Sequence, residues 1–390
     1  MKQNTIQRQS GKRSSEQTLQ QALQRSPKQS PRQSPRPSRK KGPGPLAIGM
    51  DLGDRTSRYC VLNACGEVVQ EAAVATTKQG LARVFAPLQR SRIAIEVGTH
   101  SPWVSRLLQS LGHEVFVANP RQLKLISQSS RKDDRVDART LARLVRVDPE
   151  LLRPIRHRSE EMQLDLLAIR VRAALVEART ALVNAARGLA KAMGERLPQC
   201  AAGSLGSGQL KALAEPLRDA LEPLLEQVAA LTVRIGKCDQ QVEQIARTKY
   251  PETELLRQVK GVGPLIALTF ILTVADKERF PQSRDVGCYL GLRPKRSQSG
   301  QSAPELRITK EGDVYLRKLL VEGAQYILSR RGPDTDLKRW GARLALGGKR
   351  AKKRAVVAVA RKLAVLLHAL WSGGEVYEPL RNSAARQAAA

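Results

Sequence analysis

Two carboxylates in this chain stand where an apolar run gives way to glycine: Asp51 in Ile48-Gly49-Met50-Asp51-Leu52-Gly53, and Glu96 in Ile93-Ala94-Ile95-Glu96-Val97-Gly98. Each pattern ends a strand on an acid, and on adjacent strands the two acids would be neighbours. Carboxylates held close together are costly unless a cation lies between them. Asp134 and Asp137 follow, three residues apart at the start of a helical pattern, so they share a face, and a helix N-terminus favours their ionised form. Four hard oxygen donors suit Mg²⁺ or Mn²⁺, and a pair of such ions can activate a nucleophile and stabilise a leaving oxygen at a phosphodiester. Taken singly, each acid has a plainer role: Asp51 as a turn former, Asp134 as an N-cap, Asp137 as a first-turn dipole residue. The order Asp, Glu, Asp, Asp is what points to a metal site, and spacing alone does not set Asp54 and Asp133 aside.

A second source of chemistry lies in Gly291-Leu292-Arg293-Pro294-Lys295-Arg296-Ser297-Gln298-Ser299-Gly300, with Arg307-Ile308-Thr309-Lys310-Glu311-Gly312-Asp313 downstream. A serine beside glycine in a cationic loop can attack a phosphodiester if cations or metal stabilise the charge and a base takes its proton. By residue type Ser297, Ser299 and Ser302 are equal candidates, and Ser-Gly is also an ordinary turn. Upstream, Lys260-Gly261-Val262-Gly263-Pro264 resembles a helix-hairpin-helix element, in which glycines expose backbone N–H groups to phosphate oxygens; a plain corner between helices is the alternative.

The elements that must position these residues follow from the apolar pattern. Short runs at 46–50, 59–62 and 68–74, separated by turn residues, read as three successive strands. Helix at 81–88, strand at 93–96, helix at 101–111, strand at 114–118 and a helix from Asp134 complete a βββαβαβα order. Residues 164–189 carry a heptad seam (Leu164, Val171, Ala178, Ala185, with Ala168, Leu175, Leu182 and Leu189 between). A second seam runs from Leu217 through Leu221, Leu224, Val228, Leu231, Ile235, Cys238 and Val242 to Ile245, with Pro223 expected to kink it. Together they imply an antiparallel helical hairpin, ordinary bundle helices being the alternative. From 250 to 376 loops mix with helices and end in an amphipathic segment behind Lys349, Arg350, Lys352, Lys353 and Arg354.

Composition sets the partner class. The 390 residues carry 67 Lys and Arg against 36 Asp and Glu, a formal charge of +31, which makes nucleic acid the default partner. Residues 1–45 hold eleven of those cations, one acid (Glu16) and few apolar residues, so this stretch reads as a disordered arm, either a solubilising tail or a nucleic-acid tether. The remainder is still about +21. Five scattered cysteines without a CxxC pair give neither a disulfide framework nor a zinc site. The apolar runs read as too short for a membrane span, so a soluble, intracellular protein without a membrane partner is expected.

Taken in order, Asp51, Glu96, the segment Lys132-Asp133-Asp134-Arg135-Val136-Asp137-Ala138, the GVGP hairpin, GLRPKRSQSG, RITKEGDVYLRKLL and the late AVARKLAVLLHALW helix resemble the bridge-RNA-guided DEDD recombinases of bacterial insertion sequences, over about residues 46–375. The resemblance implies an RNase H-like (RuvC-like) mixed-sheet domain at 46–150, a coiled-coil hairpin at 155–248, a mostly helical C-terminal transposase domain at 249–375 with the helix-hairpin-helix element, and a tail at 376–390. It implies that Asp51, Glu96, Asp134 and Asp137 are a metal-binding tetrad. It also implies that Ser299 forms a covalent phosphoserine link to DNA, and that half-sites are assembled between protomers of a dimer or tetramer. A structured RNA would pair with donor and target DNA and supply sequence specificity, while Lys260, Gly261, Gly263, Lys295, Arg296, Lys310 and the 349–354 cations contact nucleic acid. A cytoplasmic, nucleoid-associated place follows from the same resemblance. The basic arm is not shared by that family, and Ala303-Pro304-Glu305 stands where glycines and basic residues are more usual.

Three other functions compete. A nuclease that resolves branched DNA by hydrolysis would use the same acids without a serine. An actin-like ATPase also starts with Asp-x-Gly but needs a second phosphate loop. A non-catalytic nucleic-acid-binding protein fits the charge and leaves the acids at strand ends without a reason.

Overall fold

In the computed structural model the described residues are 45–119, 134–210, 213–300, 302, 304 and 306–382. The expected basic arm, except for Pro45, lies outside them, as do Asp133 and the end of the expected tail. The chain divides into two compact units, one ending at Ile155 and the other beginning at Arg156.

In the first unit, β1 (Ala47–Asp51), β2 (Thr56–Leu62), β3 (Val68–Ala75), β4 (Arg92–Glu96) and β5 (Glu114–Ala118) form one sheet in the order β3-β2-β1-β4-β5. The β1–β2 and β2–β3 pairs are antiparallel, as their short connections require, and β1–β4 and β4–β5 are parallel. The parallel pairs need crossovers, supplied by α1 (Lys78–Phe85) and α2 (Ser101–Ser110). The first of these begins three residues before the apolar pattern does, because the Thr77 side chain accepts from the Gly80 amide and caps it. Alternation divides the strand residues between two cores. Ile48, Met50, Ile93 and Ile95 pack with Leu81, Phe85, Val104 and Leu108 of the crossover helices. Ala47 and Ala94 face the opposite way, against Ala138, Leu141, Ala142 and Val145 of α3 (Asp134–Val147).

The second unit is helical. Helices α4 (Glu160–Ala192) and α5 (Glu215–Lys249) run antiparallel, tied by Lys249 to Asp165 at 3.1 Å, by Arg172 to Asp239 and by Arg179 to Thr232 at 3.2 Å. The sequence seam in α5 is its inner face: Leu221, Val228, Ile235, Val242 and Ile245 are buried. The seam expected in α4 is inner only in part: Ala168, Leu175 and Leu182 are half-buried, whereas Leu164, Val171, Ala178, Ala185 and Leu189 are exposed, and the fully buried residues include Leu166, Ile169, Val183, Ala186 and Ala190. Small alanines satisfy heptad spacing on two faces of this helix, and the pattern alone could not choose between them. Pro223 does not interrupt α5, which runs through it.

Five short helices and one long one complete this unit: α6 (Thr253–Arg257), α7 (Pro264–Val274), α8 (Arg284–Tyr289), α9 (Val314–Leu328), α10 (Asp336–Ala345) and α11 (Lys349–Gly373). Its core gathers Phe270, Leu268 and Leu272 of α7, Leu316 and Leu320 of α9, and Val359, Leu363 and Leu367 of α11. By length and composition α11 could cross a membrane, contrary to the expectation that no run comes close, but half of its most apolar stretch is buried in this core. Core packing accounts for its composition.

Candidate active site

The carboxylates of the first unit are set by strand register. Met50 pairs with Ile95, so Asp51 and Glu96, one residue further, end adjacent parallel strands. Asp51 follows Ala47 and Gly49 in alternation, and Glu96 follows Ala94, so both belong to the side of the sheet that α3 covers. That helix lies unusually close. A Cβ on Gly49 would fall 2.0 Å from the Ala138 carbonyl oxygen and 2.3 Å from the Ala142 nitrogen, so only glycine lets α3 rest here. The first residue of α3 is Asp134, and Asp137 is on the same face one turn later. Burial raises the Glu96 carboxyl above its usual pKa, and the Asp137 charge raises it further. The structure therefore brings Asp51, Glu96 and Asp137 to one end of the sheet, with Asp134 at the helix start; the Asp134 side chain is outside the described residues.

Among the described residues no three His, Cys, Asp or Glu side chains form a ready metal cage. The donors nonetheless fit a hard divalent cation, being all carboxylate, with the mutual repulsion felt by Glu96 the kind that a cation relieves. Asp54, an alternative on spacing, lies in the turn after Asp51, with its side chain 91% exposed and 3.4 Å from His100 Nε2.

Several residues that support this end of the sheet gave no signal in the sequence. Arg139, two residues past Asp137, forks onto Glu71 of β3 at 2.8 and 2.9 Å, tying α3 to the sheet and holding the Glu71 carboxyl below its ordinary range. Arg58 stands opposite Asp51 in the β1–β2 ladder. The turn after Asp51 is held by the Thr76 hydroxyl, which donates to the Gly53 carbonyl at 2.9 Å. His100 ends the turn after Glu96, and its Nδ1 accepts from Trp103 Nε1 at 3.1 Å. Apart from the His100–Trp103 pair, three residues apart at the start of α2, these contacts join segments distant in sequence that the folded sheet brings together.

In the second unit Ser299 lies at the tip of a narrow two-stranded arm. Lys295 N–H donates to the Arg307 carbonyl at 2.9 Å and Thr309 N–H to the Arg293 carbonyl at 3.0 Å, while Ser299 and Ser302 exchange backbone bonds at 3.2 and 3.0 Å. Gly300 turns the tip with φ +56°. Ser297, Ser299 and Ser302 are all exposed, and Arg293, Lys295, Arg296, Arg307 and Lys310 make the arm basic. Its base is rigid. A Cβ on Gly291 would sit 2.2 Å from the Glu311 carbonyl oxygen and one on Gly312 2.1 Å from that of Tyr289, so the two ends of the arm touch backbone to backbone. Buried Arg317 clamps them, donating to the Leu290 carbonyl at 2.9 Å and the Glu311 carbonyl at 2.7 Å.

The other expected nucleic-acid contacts lie in this unit as well. Lys260 and Gly263 are exposed in the turn between α6 and α7, where Gly261, at φ +101°, packs against the Gly323 carbonyl of α9. Lys349, Arg350, Lys352, Lys353 and Arg354 are exposed on the first turns of α11. That end of a helix disfavours cations, so the dipole of α11 does not account for their clustering there.

Comparison with known proteins joins the two units. A family model described as a transposase, of the IS110 DEDD type, matches residues 48–193, and one described as the transposase IS116/IS110/IS902 family matches residues 253–339. The first match spans the four acids and the second spans Gly261, Ser299 and Lys310. The chain is 27% identical over 342 residues to the transposase for insertion sequence element IS1111A of Coxiella burnetii, which covers 85% of this chain and 90% of that protein. It is 29% identical over 303 residues to a probable family 20 transposase of Pseudomonas aeruginosa, covering 76% and 88%. A putative transposase of Sinorhizobium fredii is 27% identical over 353 residues, covering 87% of each chain.

Proposed function

Because the chain carries the domains of IS110/IS116/IS902-type transposases and is a DNA-cutting, strand-transferring enzyme of that kind, we propose that it works with a carboxylate-bound divalent cation and a serine nucleophile. The first unit acts as an RNase H-like domain in which Asp51, Glu96, Asp134 and Asp137 hold Mg²⁺. The observation that carries this reading is the convergence of Asp51, Glu96 and Asp137 at the end of the sheet that α3 covers, where burial and the Asp137 charge both raise the Glu96 carboxyl. Bound there, the cation supplies Lewis-acid stabilisation of charge on the phosphodiester oxygens. The carboxylates fix its place, and Gly49 and the Arg139–Glu71 fork fix the carboxylates.

Ser299 Oγ attacks the phosphorus, a sugar hydroxyl leaves, and the DNA end stays esterified to the serine until a second sugar hydroxyl displaces it. The exposed tip and basic flanks of the arm suit any of its three serines, and the resemblance noted above selects Ser299 over Ser297 and Ser302. Lys260, Gly261, Gly263, Lys295, Arg296, Lys310 and the 349–354 cations meet phosphates, and a structured RNA paired with donor and target DNA supplies the sequence. Exposed cations suit contacts to backbones of either nucleic acid. The protein acts as a homo-oligomer through α4, where Leu164, Leu167, Val171, Ala174, Ala178, Ala181 and Ala185 form an exposed stripe with 3-4 spacing.

The test is recombination between donor-junction and target plasmids with the element's RNA, comparing wild type, Asp51→Ala and Ser299→Ala, with adducts trapped on a denaturing gel. Wild type is expected to recombine and to form an adduct that Ser299→Ala lacks. If Ser299→Ala still cuts while Asp51→Ala does not, the protein is a hydrolytic metal-dependent nuclease.

A further inference from the structure

His100 lies outside the four acids, yet the fold places it beside them. It closes the turn that follows Glu96, and its Nε2 lies 3.4 Å from Asp54 Oδ1, in the turn that follows Asp51. The two turns at this end of the sheet therefore meet at one imidazole. The tautomer of that imidazole is fixed by its other neighbour. Trp103 Nε1 can only donate, and it points at His100 Nδ1 at 3.1 Å with the rings edge to face at 87°. Nδ1 must then be the unprotonated nitrogen, and the proton of the neutral ring is on Nε2. A neutral imidazole with Nε2–H directed toward the carboxylate end of the sheet is a hydrogen-bond donor in a place otherwise rich in acceptors. A phosphodiester brings two further acceptor oxygens to such a place.

We infer that His100 is a further substrate-contacting residue, whose Nε2–H donates to a non-bridging oxygen of the scissile phosphodiester held at Asp51 and Glu96, with Trp103 as the positioning residue that keeps the proton on Nε2. In the absence of DNA the donor is occupied by Asp54. That side chain is 91% exposed, so it turns out into water at small cost when a phosphate oxygen takes its place. The Nε2–H bond strengthens as negative charge builds on the phosphoryl oxygens during displacement, so its loss falls on the rate of the bound complex more than on binding. No proton is transferred in this role.

This role rests on the carboxylate site proposed above, and the experiment separates the two. Single-turnover cleavage of junction DNA and its dissociation constant would be measured for the full chain and for His100→Ala, His100→Gln, Trp103→Phe and Asp51→Asn, with ¹⁵N NMR of the labelled imidazoles in wild type and Trp103→Phe. His100→Ala is expected to cut about a hundredfold more slowly with affinity changed less than about threefold. His100→Gln, which keeps an N–H near the same point, is expected to recover at least about tenfold of that loss. Wild type should show the Nε2–H tautomer at His100, and Trp103→Phe should show a mixture and cut about tenfold more slowly. Equal losses in His100→Ala and His100→Gln, a wild-type rate in His100→Ala, or an Nδ1–H ring in wild type would each overturn the inference. Loss of cutting in Asp51→Asn with none in His100→Ala refutes the histidine alone. A fully active Asp51→Asn removes the carboxylate site and the histidine role with it.

Discussion

Replacing Gly49 with alanine tests whether the closeness of α3 to the sheet is what aligns the acids. In a strand interior alanine would ordinarily gain about 0.5–1 kcal/mol over glycine, because glycine loses more freedom on folding. Here the added methyl would lie 2.0 Å from the Ala138 carbonyl oxygen, 2.3 Å from the Ala142 nitrogen and 2.9 Å from the Leu141 Cβ. Two of those three are backbone atoms of a regular helix and cannot turn aside. Reaching ordinary contact, about 3.3–3.6 Å between carbon and oxygen, requires α3 to lift by more than about 1 Å. Overpacking of this kind costs about 1–3 kcal/mol, which outweighs the backbone gain. The lift also carries Asp134 and Asp137 away from Asp51 and Glu96, and a misplacement of about 1 Å can cost about a hundredfold in rate. Gly49→Ala is therefore expected to melt several degrees lower, to need more Mg²⁺ for half-maximal cutting and to cut about a hundredfold more slowly. Thermal melts followed by circular dichroism, and Mg²⁺ titrations of junction cleavage, check this. The exposed Gly236 in α5, where a Cβ meets nothing within 4 Å, is the control, and Gly236→Ala should gain up to about 1 kcal/mol. A Gly49→Ala protein with wild-type melting and wild-type Mg²⁺ dependence would refute the argument.

Arg317→Leu removes the clamp at the base of the serine arm and leaves the Leu290 and Glu311 carbonyls without that donor; a loss of about 2–4 kcal/mol is expected in chemical denaturation, with adduct formation falling further than DNA binding. Leu167→Glu in the exposed stripe of α4 should shift the protein to a smaller species in light scattering without lowering its melting temperature, since this residue is 55% exposed and lies outside the buried core clusters. The thiols should divide by burial. Cys65 is exposed and expected to react with an aromatic disulfide within minutes at pH 8, whereas Cys60 is buried, with burial first and Glu71 second pushing its thiol up to about 11, and should react only on unfolding. Rapid labelling of Cys60 in the native protein, located by peptide mass, would contradict the packing of β2.

Much of the first unit was legible because its strands are short and separated by turn residues, and β1 and β4, apolar along most of their length, each end on an acid that breaks the pattern. Asp51 and Glu96 could be paired before any coordinates, since an acid directly after a buried run is hard to explain as surface. The same logic failed in α4. There, apolar and small residues satisfy heptad spacing on more than one face, and of the seam chosen from the sequence Leu164, Val171, Ala178, Ala185 and Leu189 are left in solvent while Ala168, Leu175 and Leu182 are half-buried. Arg139, Glu71, Thr76, Trp103 and Arg317 were not legible at all. Their value here comes from specific partners that no pattern names, 68 residues away for Arg139 and 27 for Arg317, and three residues away, on the same helix start, for Trp103. Gly49 was readable as a glycine in a strand, which hints at a close approach. What approaches it, the backbone of α3, could not be read.

The two chemical groups are held by different means, and the difference bears on what each does. The acids sit on strand ends and on a helix pressed against the sheet backbone, so their spacing is set by packing that tolerates almost no adjustment. Ser299 sits at the end of an arm joined by a handful of backbone bonds, with its base locked by Gly291, Gly312 and Arg317 and its tip exposed. Such an arm keeps its direction while the tip adapts, which suits the nucleophile proposed at Ser299, one that must meet one DNA strand, hold it and release it to another. The metal site proposed for the acids has no such requirement; it would work by staying fixed. Substitutions at the tip should therefore change rate with little change in stability, those at Gly291, Gly312 or Arg317 should change both, and those beneath α3 should change metal affinity first.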